Sequence, residues 1–173
     1  MSSGTTPEAC PGCHFVWDEV DPATVTTRVD AAIAGFGEAL GSPRARTRPR
    51  EGRWSTVEYG AHVRDVLLSI RDRIILAAVE ECPSPPPIYR DHRVALGLYD
   101  ADGPDVVAGD LAVAARLFRT AFDAIAPSGG DRPLIYSQLL GDQRTINWTG
   151  AQAVHECEHH LADVRENERA LAG

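Results

Sequence analysis

Four stretches of the chain repeat apolar residues every three or four positions, which is the pattern of amphipathic α-helices. N-cap residues, prolines and glycines bound these stretches, and the predicted helices cover residues 21–40, 55–81, 104–130 and 149–171. Capping boxes are predicted at Ser55 with Glu58 and at Thr149 with Gln152. Four helices of about 20 residues each predict an all-α fold, a four-helix bundle.

The segments between the predicted helices define the remaining organisation. The connection from Cys82 to Gly103 is too long for a simple turn, so we expect it to cross the bundle between helices two and three. The segment from Leu134 to Trp148 favours a short hairpin. Residues 1–20 are predicted to form a cysteine-containing N-terminal arm, and residues 21–173 a single helical domain.

The composition restricts the class of function. The chain has 173 residues and a net charge of −8, which argues against a nucleic-acid surface. Neither a signal peptide nor an apolar run of about 18 residues is visible, so we expect a cytoplasmic protein without membrane contact. All 17 basic residues are arginine, which excludes Schiff-base lysine chemistry and is typical of a GC-rich genome, as in actinobacteria.

Three histidines are the strongest candidates for chemistry. His155 and His159 are four residues apart and therefore project from adjacent turns of one helical face, while His62 lies near the start of the second helix. Three imidazoles would hold a divalent ion and leave an open position, as in catalytic sites. Zinc suits these nitrogens, although nickel and iron bind imidazole as well. The alternative is a solvated face without metal, because the apolar stripe of the last helix lies nearly opposite the pair.

Two sequence signatures resemble those of a known superfamily. They are Trp54-Ser55-x-x-Glu58-x-x-x-His62-x-x-Asp65 and His155-x-x-x-His159-x-x-x-Asp163. In this order and separation they resemble the DinB/YfiT-like superfamily. The resemblance implies a bundle of DinB/YfiT type with an up-down-down-up-type connection, and a homodimer is expected because many members dimerise. It also implies that His62, His155 and His159 hold a metal ion.

The resemblance implies several activities. The superfamily includes mycothiol- and bacillithiol-dependent transferases and isomerases, so the favoured reaction is thiol-dependent transfer or isomerisation on a small electrophilic substrate, with a low-molecular-weight thiol such as mycothiol as cofactor. Ergothioneine sulfoxide synthases are disfavoured, because Leu161 stands where they have an acidic residue. A metal-dependent hydrolase and a non-catalytic metal-binding or stress-response protein are the alternatives. Arg53, in an arginine-rich loop, is the candidate for substrate binding, and a solvated loop is the alternative.

Three acidic residues are candidates for orienting the imidazoles from behind. Glu58 and Asp65 flank His62 by four and three residues, and Asp163 follows His159 by four. The alternatives are a capping role for the glutamate and solvent-exposed positions for the two aspartates.

A second group of potential ligands lies near the N-terminus, at Cys10, Cys13 and His14. The C-x-x-C-H pattern matches covalent haem attachment, which requires export. It also matches half of a zinc site that Cys82 or His92 would complete, and a redox-active thiol pair. Some actinobacterial relatives resemble the chain in beginning with a C-x-x-C-x-F segment.

Overall fold

Five α-helices, two short 3₁₀ helices (Trp17–Glu19 and Pro22–Thr24) and a two-stranded sheet are the regular elements in the described part of the chain. In this computed structural model, residues 8–137 and 141–172 are described. The helices are α1 (Val25–Leu40), α2 (Thr56–Val79), α3 (Arg90–Ala95), α4 (Pro104–Gly129) and α5 (Ile146–Ala172), and the strands are β1 (Pro133–Ser137) and β2 (Asp142–Thr145). The predicted all-α four-helix bundle is confirmed, with α1, α2, α4 and α5 as its long helices.

The long helices are not arranged in chain order around the bundle. Helix α2 packs against α4 on one side and α5 on the other, and α1 packs against the same two helices. Helices α1 and α2 are therefore diagonal to each other, as are α4 and α5. This arrangement places α2 and α5 side by side, which brings His62 next to the histidine-rich part of α5.

Helix α2 begins at the predicted capping box. The Oγ of Ser55 accepts from the backbone N–H of Glu58 at 3.3 Å, and the Ser55 N–H donates to the Glu58 carboxylate at 2.8 Å. Both bonds satisfy N–H groups that the first turn of a helix leaves without partners. The predicted start of this helix is confirmed.

Helix α5 begins earlier than predicted, so the capping box predicted at Thr149 is wrong. The Oγ1 of Thr145 accepts from the N–H of Trp148 at 3.1 Å and provides the cap instead. Thr149 already lies in the helix, and its hydroxyl donates to the carbonyl of Thr145 at 2.8 Å. The side chain of Gln152 does not form the predicted capping bond. It accepts from Trp17 of the N-terminal arm and donates to Glu156 of α5.

The connections add two short elements to the bundle. The long connection after α2 contains α3, which the sequence pattern did not predict because it has only six residues. The predicted hairpin is present as antiparallel β1 and β2, with Leu134 opposite Arg144, and its second strand ends at Thr145 rather than near Trp148. Residues 138–140, between the strands, lie outside the described residues.

The core lies between the four long helices. It contains the apolar stripe of α2 together with aromatic and branched residues of the other helices: Val29, Phe36, Leu67, Ile70, Ile74, Leu111, Phe118, Phe122, Val154 and Leu161. None of the described helices is both long and apolar enough to cross a membrane.

Although α4 and α5 are diagonal in the bundle, the ring of Phe122 on α4 lies against Gly150 of α5. A Cβ at Gly150 would lie 2.3 Å from Cε2 of Phe122, whereas a Cβ at Gly109 of α4 would meet no atom within 4 Å. We expect Gly150→Ala to lower the free energy of unfolding by about 1–3 kcal/mol through overpacking. Gly109→Ala, the control, should raise it by about 0.5–1 kcal/mol through helix propensity. Urea denaturation measures both, and equal stability of Gly150→Ala and the wild type would contradict the packing argument.

Candidate functional site

Among the described residues, potential metal ligands on and around α5 form three groups, in each of which the ligand atoms lie within 4.8 Å of one another. Two of them are named below, and the third, His159, His160 and Asp163, shares one histidine with each of these two. The pocket cluster consists of His62, Glu156 and His160. The arm cluster consists of Cys10, Cys13, His155 and His159. The structure therefore divides the predicted set of three histidines between two places, with His62 in one and the α5 pair in the other.

The rotation of α5 explains this division. Successive helical residues are about 100° apart around the axis, so positions 156 and 160 share one face and positions 155 and 159 share the next. The face with Glu156 and His160 meets α2. The face with His155 and His159 meets the N-terminal arm. The histidine-rich run thus contains two ligand pairs with the same four-residue spacing.

The pocket cluster has the dimensions of a metal site. The carboxylate Oε2 of Glu156 lies 3.5 Å from Nε2 of His62 and 3.4 Å from Nε2 of His160. Ligand bonds of about 2.0–2.1 Å in a tetrahedral site separate neighbouring ligand atoms by about 3.3 Å. The Nε2 atom of His62 is buried and has no hydrogen-bond partner within the described part of the chain. The three atoms are therefore placed to share one ion.

The other nitrogen of each imidazole is held by a separate side chain. The Nδ1 atom of His62 lies 3.3 Å from the hydroxyl of Tyr99, and Nδ1 of His160 lies 2.9 Å from Oδ2 of Asp163. Partners of this kind fix the ring and the tautomer of a metal-binding histidine. Asp163, which was predicted to support His159, therefore lies behind His160 instead. Its Oδ2 atom is 3.8 Å from Nε2 of His159.

The carboxylate of Glu156 is also held from behind. Its Oε1 atom accepts a hydrogen bond of 2.8 Å from the amide of Gln152. The amide oxygen of Gln152 in turn accepts a bond of 2.6 Å from the indole N–H of Trp17. One chain of hydrogen bonds therefore joins the arm to the pocket cluster, and the remaining oxygen of Glu156 faces the two histidines.

The burial of the pocket cluster shifts its proton affinities. Burial lowers the pKa of His62 and outweighs the nearby carboxylate. Burial alone would raise the pKa of Glu156, but His160 and His62 beside it hold that pKa well below its usual range. Burial alone would lower the pKa of His160, but Asp163 and Glu156 raise it. Near neutral pH the cluster therefore contains an ionised carboxylate and a neutral His62, both suited to a cation.

A pocket of about 270 Å³ adjoins the cluster and gives it an open side. His62 and Glu156 form part of its wall, together with apolar residues of α2 and of the connection before α3. Its polar wall residues include Ser69, Arg73 and Ser137. The volume suits a small molecule, and a ligand in it would reach the exposed side of the cluster.

Arg73 is a buried cation in this pocket, with 5% of its surface exposed. Its guanidinium donates to the Oγ of Ser69, to the carbonyl of Tyr136 and to the carbonyl of Pro86. Burial lowers the pKa of Arg73, and no carboxylate of a described residue forms an ion pair with it. Of its five N–H groups, the three bonds leave two for a ligand.

Two of the predicted supporting carboxylates have other partners. Glu58 completes the cap of α2 and pairs with Arg48. Asp65 pairs with Arg64 at 2.9 Å and with Arg93. Within the described chain neither carboxylate contacts His62, so the capping interpretation of Glu58 fits its contacts.

The predicted substrate-binding residue Arg53 is held by helix α5. Its guanidinium pairs with Asp163 at 3.0 Å and with Glu166 at 2.7 Å, and it donates to Asn167 at 3.1 Å. It is absent from the wall of the 270 Å³ pocket. These contacts fix the loop before α2 and place Trp54 beside the ring of His62, at 5.3 Å.

The arm cluster is formed by a tight turn at the N-terminus. The N–H of His14 donates to the carbonyl of Cys10 at 2.8 Å, and Cys10 is buried whereas Cys13 is exposed. Burial alone would raise the pKa of Cys10, but hydrogen bonds from the backbone of Gly12 and Cys13 lower it. Among the described residues, the cluster includes neither His14 nor Cys82 and His92, which were predicted to complete a zinc site with the two cysteines.

Sequence reasoning missed Glu156, His160, Tyr99 and Gln152. The signal for the first two was present, since they repeat the four-residue spacing of the neighbouring histidines. Tyr99 lies in the connection between α3 and α4, where no periodic pattern indicates which way a side chain points.

Comparison with known proteins adds a family to these observations. A family model described as the DinB superfamily matches residues 25–164. The fold is similar to that of YfiT from Bacillus subtilis, described as a probable metal-dependent hydrolase with an unusual four-helix bundle topology; the TM-score is 0.75, the identity 18%, and 87% of each chain is covered. At that identity the similarity concerns the fold. No curated protein matches the chain at a significant level.

Proposed function

Because the chain belongs to the DinB superfamily, we propose that it is a metal-dependent enzyme whose ion is bound by His62, Glu156 and His160. The observation that supports this most is the double contact of each ligand. One polar atom of each side chain converges on the cluster, and the other is held by Tyr99, Gln152 or Asp163 respectively. Such support from behind is characteristic of metal ligands.

The ligand set favours zinc. Two imidazoles and one carboxylate bind zinc in several hydrolytic enzymes, with an open fourth position. The same set with open positions also binds iron(II) in oxygenases. The carboxylate makes this set more anionic than three imidazoles would be, and its low pKa keeps that charge at neutral pH.

The bound ion would supply a Lewis acid that lowers the pKa of a nucleophile in the open position. The chain itself would orient the three ligands and give the substrate access to the ion. Tyr99 and Asp163 fix the two rings, and Gln152 fixes the carboxylate of Glu156. The pocket beside His62 and Glu156 gives a small substrate access to that position.

The pocket wall favours a thiol as the nucleophile. Apart from the ligands themselves, its described residues include no carboxylate and no histidine that could act as a general base. A free thiol has a pKa of about 8.5 and free water one of about 15.7, so a thiol needs a smaller shift of its pKa from the ion than water does in order to ionise near neutral pH. Thiol-dependent transfer or isomerisation, with a thiol such as mycothiol, is therefore the proposed reaction.

The substrate proposed for this pocket is small and carries an anionic group. Arg73 offers two N–H groups and a positive charge without a described carboxylate partner. Arg90 adds a second, exposed guanidinium at the wall. The pocket cluster and these cations line the same pocket. An electrophile with a carboxylate would therefore bind the arginines through that carboxylate and place its other end at the cluster.

Calorimetric titration with mycothiol tests the thiol proposal. We expect the zinc-loaded protein to bind the thiol and release about one proton per thiol, because the bound form is the thiolate. Titrations in two buffers with different ionisation enthalpies measure this proton. His160→Gln should lose the binding, while His92→Gln, which changes an exposed histidine of α3, should keep it. Binding of equal strength to metal-free protein would contradict the proposal.

Hydrolysis is the second candidate, favoured by the fold similarity to a protein described as a metal-dependent hydrolase. It predicts turnover of ester or amide substrates by the zinc-loaded protein in the absence of any thiol. Turnover under those conditions, lost in His160→Gln, would replace the thiol proposal by this one.

A further inference from the structure

The arm cluster contains four potential ligands that no other function in the molecule explains. Cys10 and Cys13 come from the N-terminal arm, and His155 and His159 come from two successive turns of α5. Their ligand atoms lie within 4.8 Å of one another. Two thiols and two imidazoles are a complete tetrahedral set for zinc and leave no open position.

The histidines of this cluster lack the partners that buried imidazoles normally have. Both ring nitrogens of His155 and the Nδ1 of His159 are buried without a hydrogen-bond partner among the described residues. Leaving a buried polar atom unpaired is unfavourable, and bonds to a metal ion would remove that cost. Sulfur atoms of Cys10 and Cys13 lie beside these nitrogens, which makes an ion the natural partner for all four side chains.

The turn that carries the cysteines stabilises the thiolate of Cys10, whereas burial raises the pKa of Cys13. Hydrogen bonds from the backbone of Gly12 and Cys13 reach the sulfur of Cys10. Such bonds stabilise the charged form of sulfur, which is the form that binds metal. A Cβ at Gly12 would lie 3.3 Å from Cε1 of His159, so glycine lets the turn approach the helix closely.

Aromatic side chains of the arm enclose the cluster. The rings of Phe15 and Trp17 lie 5.2 and 4.8 Å from the ring of His155. Trp17 also stacks on Trp148 of α5 at 6.0 Å. These rings cover His155, and the four protein ligands leave no open position, as in structural rather than catalytic zinc sites.

We propose that Cys10, Cys13, His155 and His159 bind a structural zinc ion that fastens the N-terminal arm to α5. Both cysteines bind as thiolates, so their two protons leave to solvent as the ion enters. The site has no ligand in common with the pocket cluster but adjoins it, since ligand atoms of His159 and His160 lie within 4.8 Å of each other, and the arm also reaches that cluster through Trp17 and Gln152. The fastened arm thereby holds the indole that supports the Gln152 amide.

Titration of the full-length, reduced protein with cobalt(II) tests this site. Thiolate ligands give cobalt(II) an intense charge-transfer absorption in the near ultraviolet, which oxygen and nitrogen ligands do not give. We expect this absorption to reach the intensity of one thiolate-bound cobalt per chain once both clusters of the wild type are filled. Cys13→Ser changes an exposed residue, so the variant should fold, yet it should lose most of the absorption. Cys82→Ser, a half-buried cysteine outside the cluster, is the matched control and should retain it.

Variants of the other cluster separate the two sites. His160→Gln should keep the charge-transfer absorption, whether or not the pocket cluster binds an ion. Zinc content should fall by one ion per chain in Cys13→Ser relative to Cys82→Ser. The proposal is overturned if cobalt binds the reduced wild type without charge-transfer absorption, or if Cys13→Ser keeps the full zinc content. It is also overturned if Cys10 and Cys13 form a disulfide that persists under a reductant able to reduce exposed disulfides.

Discussion

Glu156→Gln is expected to remove the ion that we assign to the pocket cluster, lowering its affinity for zinc by at least about 100-fold. Loss of a residue that merely supports a ligand already costs about 10- to 100-fold. The substitution keeps the size of the side chain but replaces an anionic ligand by an amide. The carboxylate lies 3.5 and 3.4 Å from the two imidazole nitrogens, so its charge is central to the site. Competition with a chromogenic chelator and elemental analysis after dialysis measure the affinity and the content.

Glu168→Gln is the matched control for this experiment, because it makes the same change at an exposed position of the same helix. Wild-type metal affinity in Glu156→Gln would remove Glu156 from the ligand set.

A second comparison distinguishes binding at two clusters from binding of one ion by the predicted triad of His62, His155 and His159. If those three histidines held one ion, the double variant His62→Gln/His155→Gln would lose one ion per chain. With two clusters, it loses two.

Much of this arrangement was predictable from helical spacing. The four long helices, the cap at Ser55 and the ligand-rich run on the last helix follow from local patterns that act within a few residues. The direction in which a ligand points relative to the other helices could not be predicted in this way, because a shift of one residue along the helix rotates the side chain by about 100° around its axis. Helices α1 and α2 set the rotation of α5 through packing, so Glu156 and His160 face His62 while the predicted pair does not.

The helical wheel gave an incomplete account of His155 and His159. It placed them away from the apolar stripe of α5, and they do lie off the face that meets α2. The wheel could not show that the chain covers this face with its own N-terminal arm, since that contact joins residues more than a hundred positions apart. Long-range contacts of this kind also bring Tyr99 to His62, at 3.3 Å.

Arg73→Met is expected to weaken the binding of mercaptohexanoate to the zinc-loaded protein by about 10- to 100-fold, since a hydrogen bond to a charged group contributes about 1.5–3 kcal/mol. Arg73 lies three helical turns beyond His62 on α2, and its bond to Ser69 directs the guanidinium back by one turn. A thiol at the cluster and a carboxylate at Arg73 therefore require a chain of about this length between them. The equilibrium dissociation constant, measured by calorimetry, gives the change.

Mercaptohexanol supplies the control ligand, because it has the same thiol and chain length without the carboxylate. Its binding should change by less than about threefold in Arg73→Met, since no charge-assisted bond is lost. Arg73→Met keeps a similar volume but leaves the carbonyls of Tyr136 and Pro86 without their donor, at about 1–3 kcal/mol for each that stays unpaired, so circular dichroism establishes its folding before the titration. Arg71→Met, at a partly exposed arginine paired with Asp72, controls for the loss of one positive charge. If both thiols weaken equally in Arg73→Met, Arg73 only maintains the pocket wall, and the anionic substrate must be abandoned.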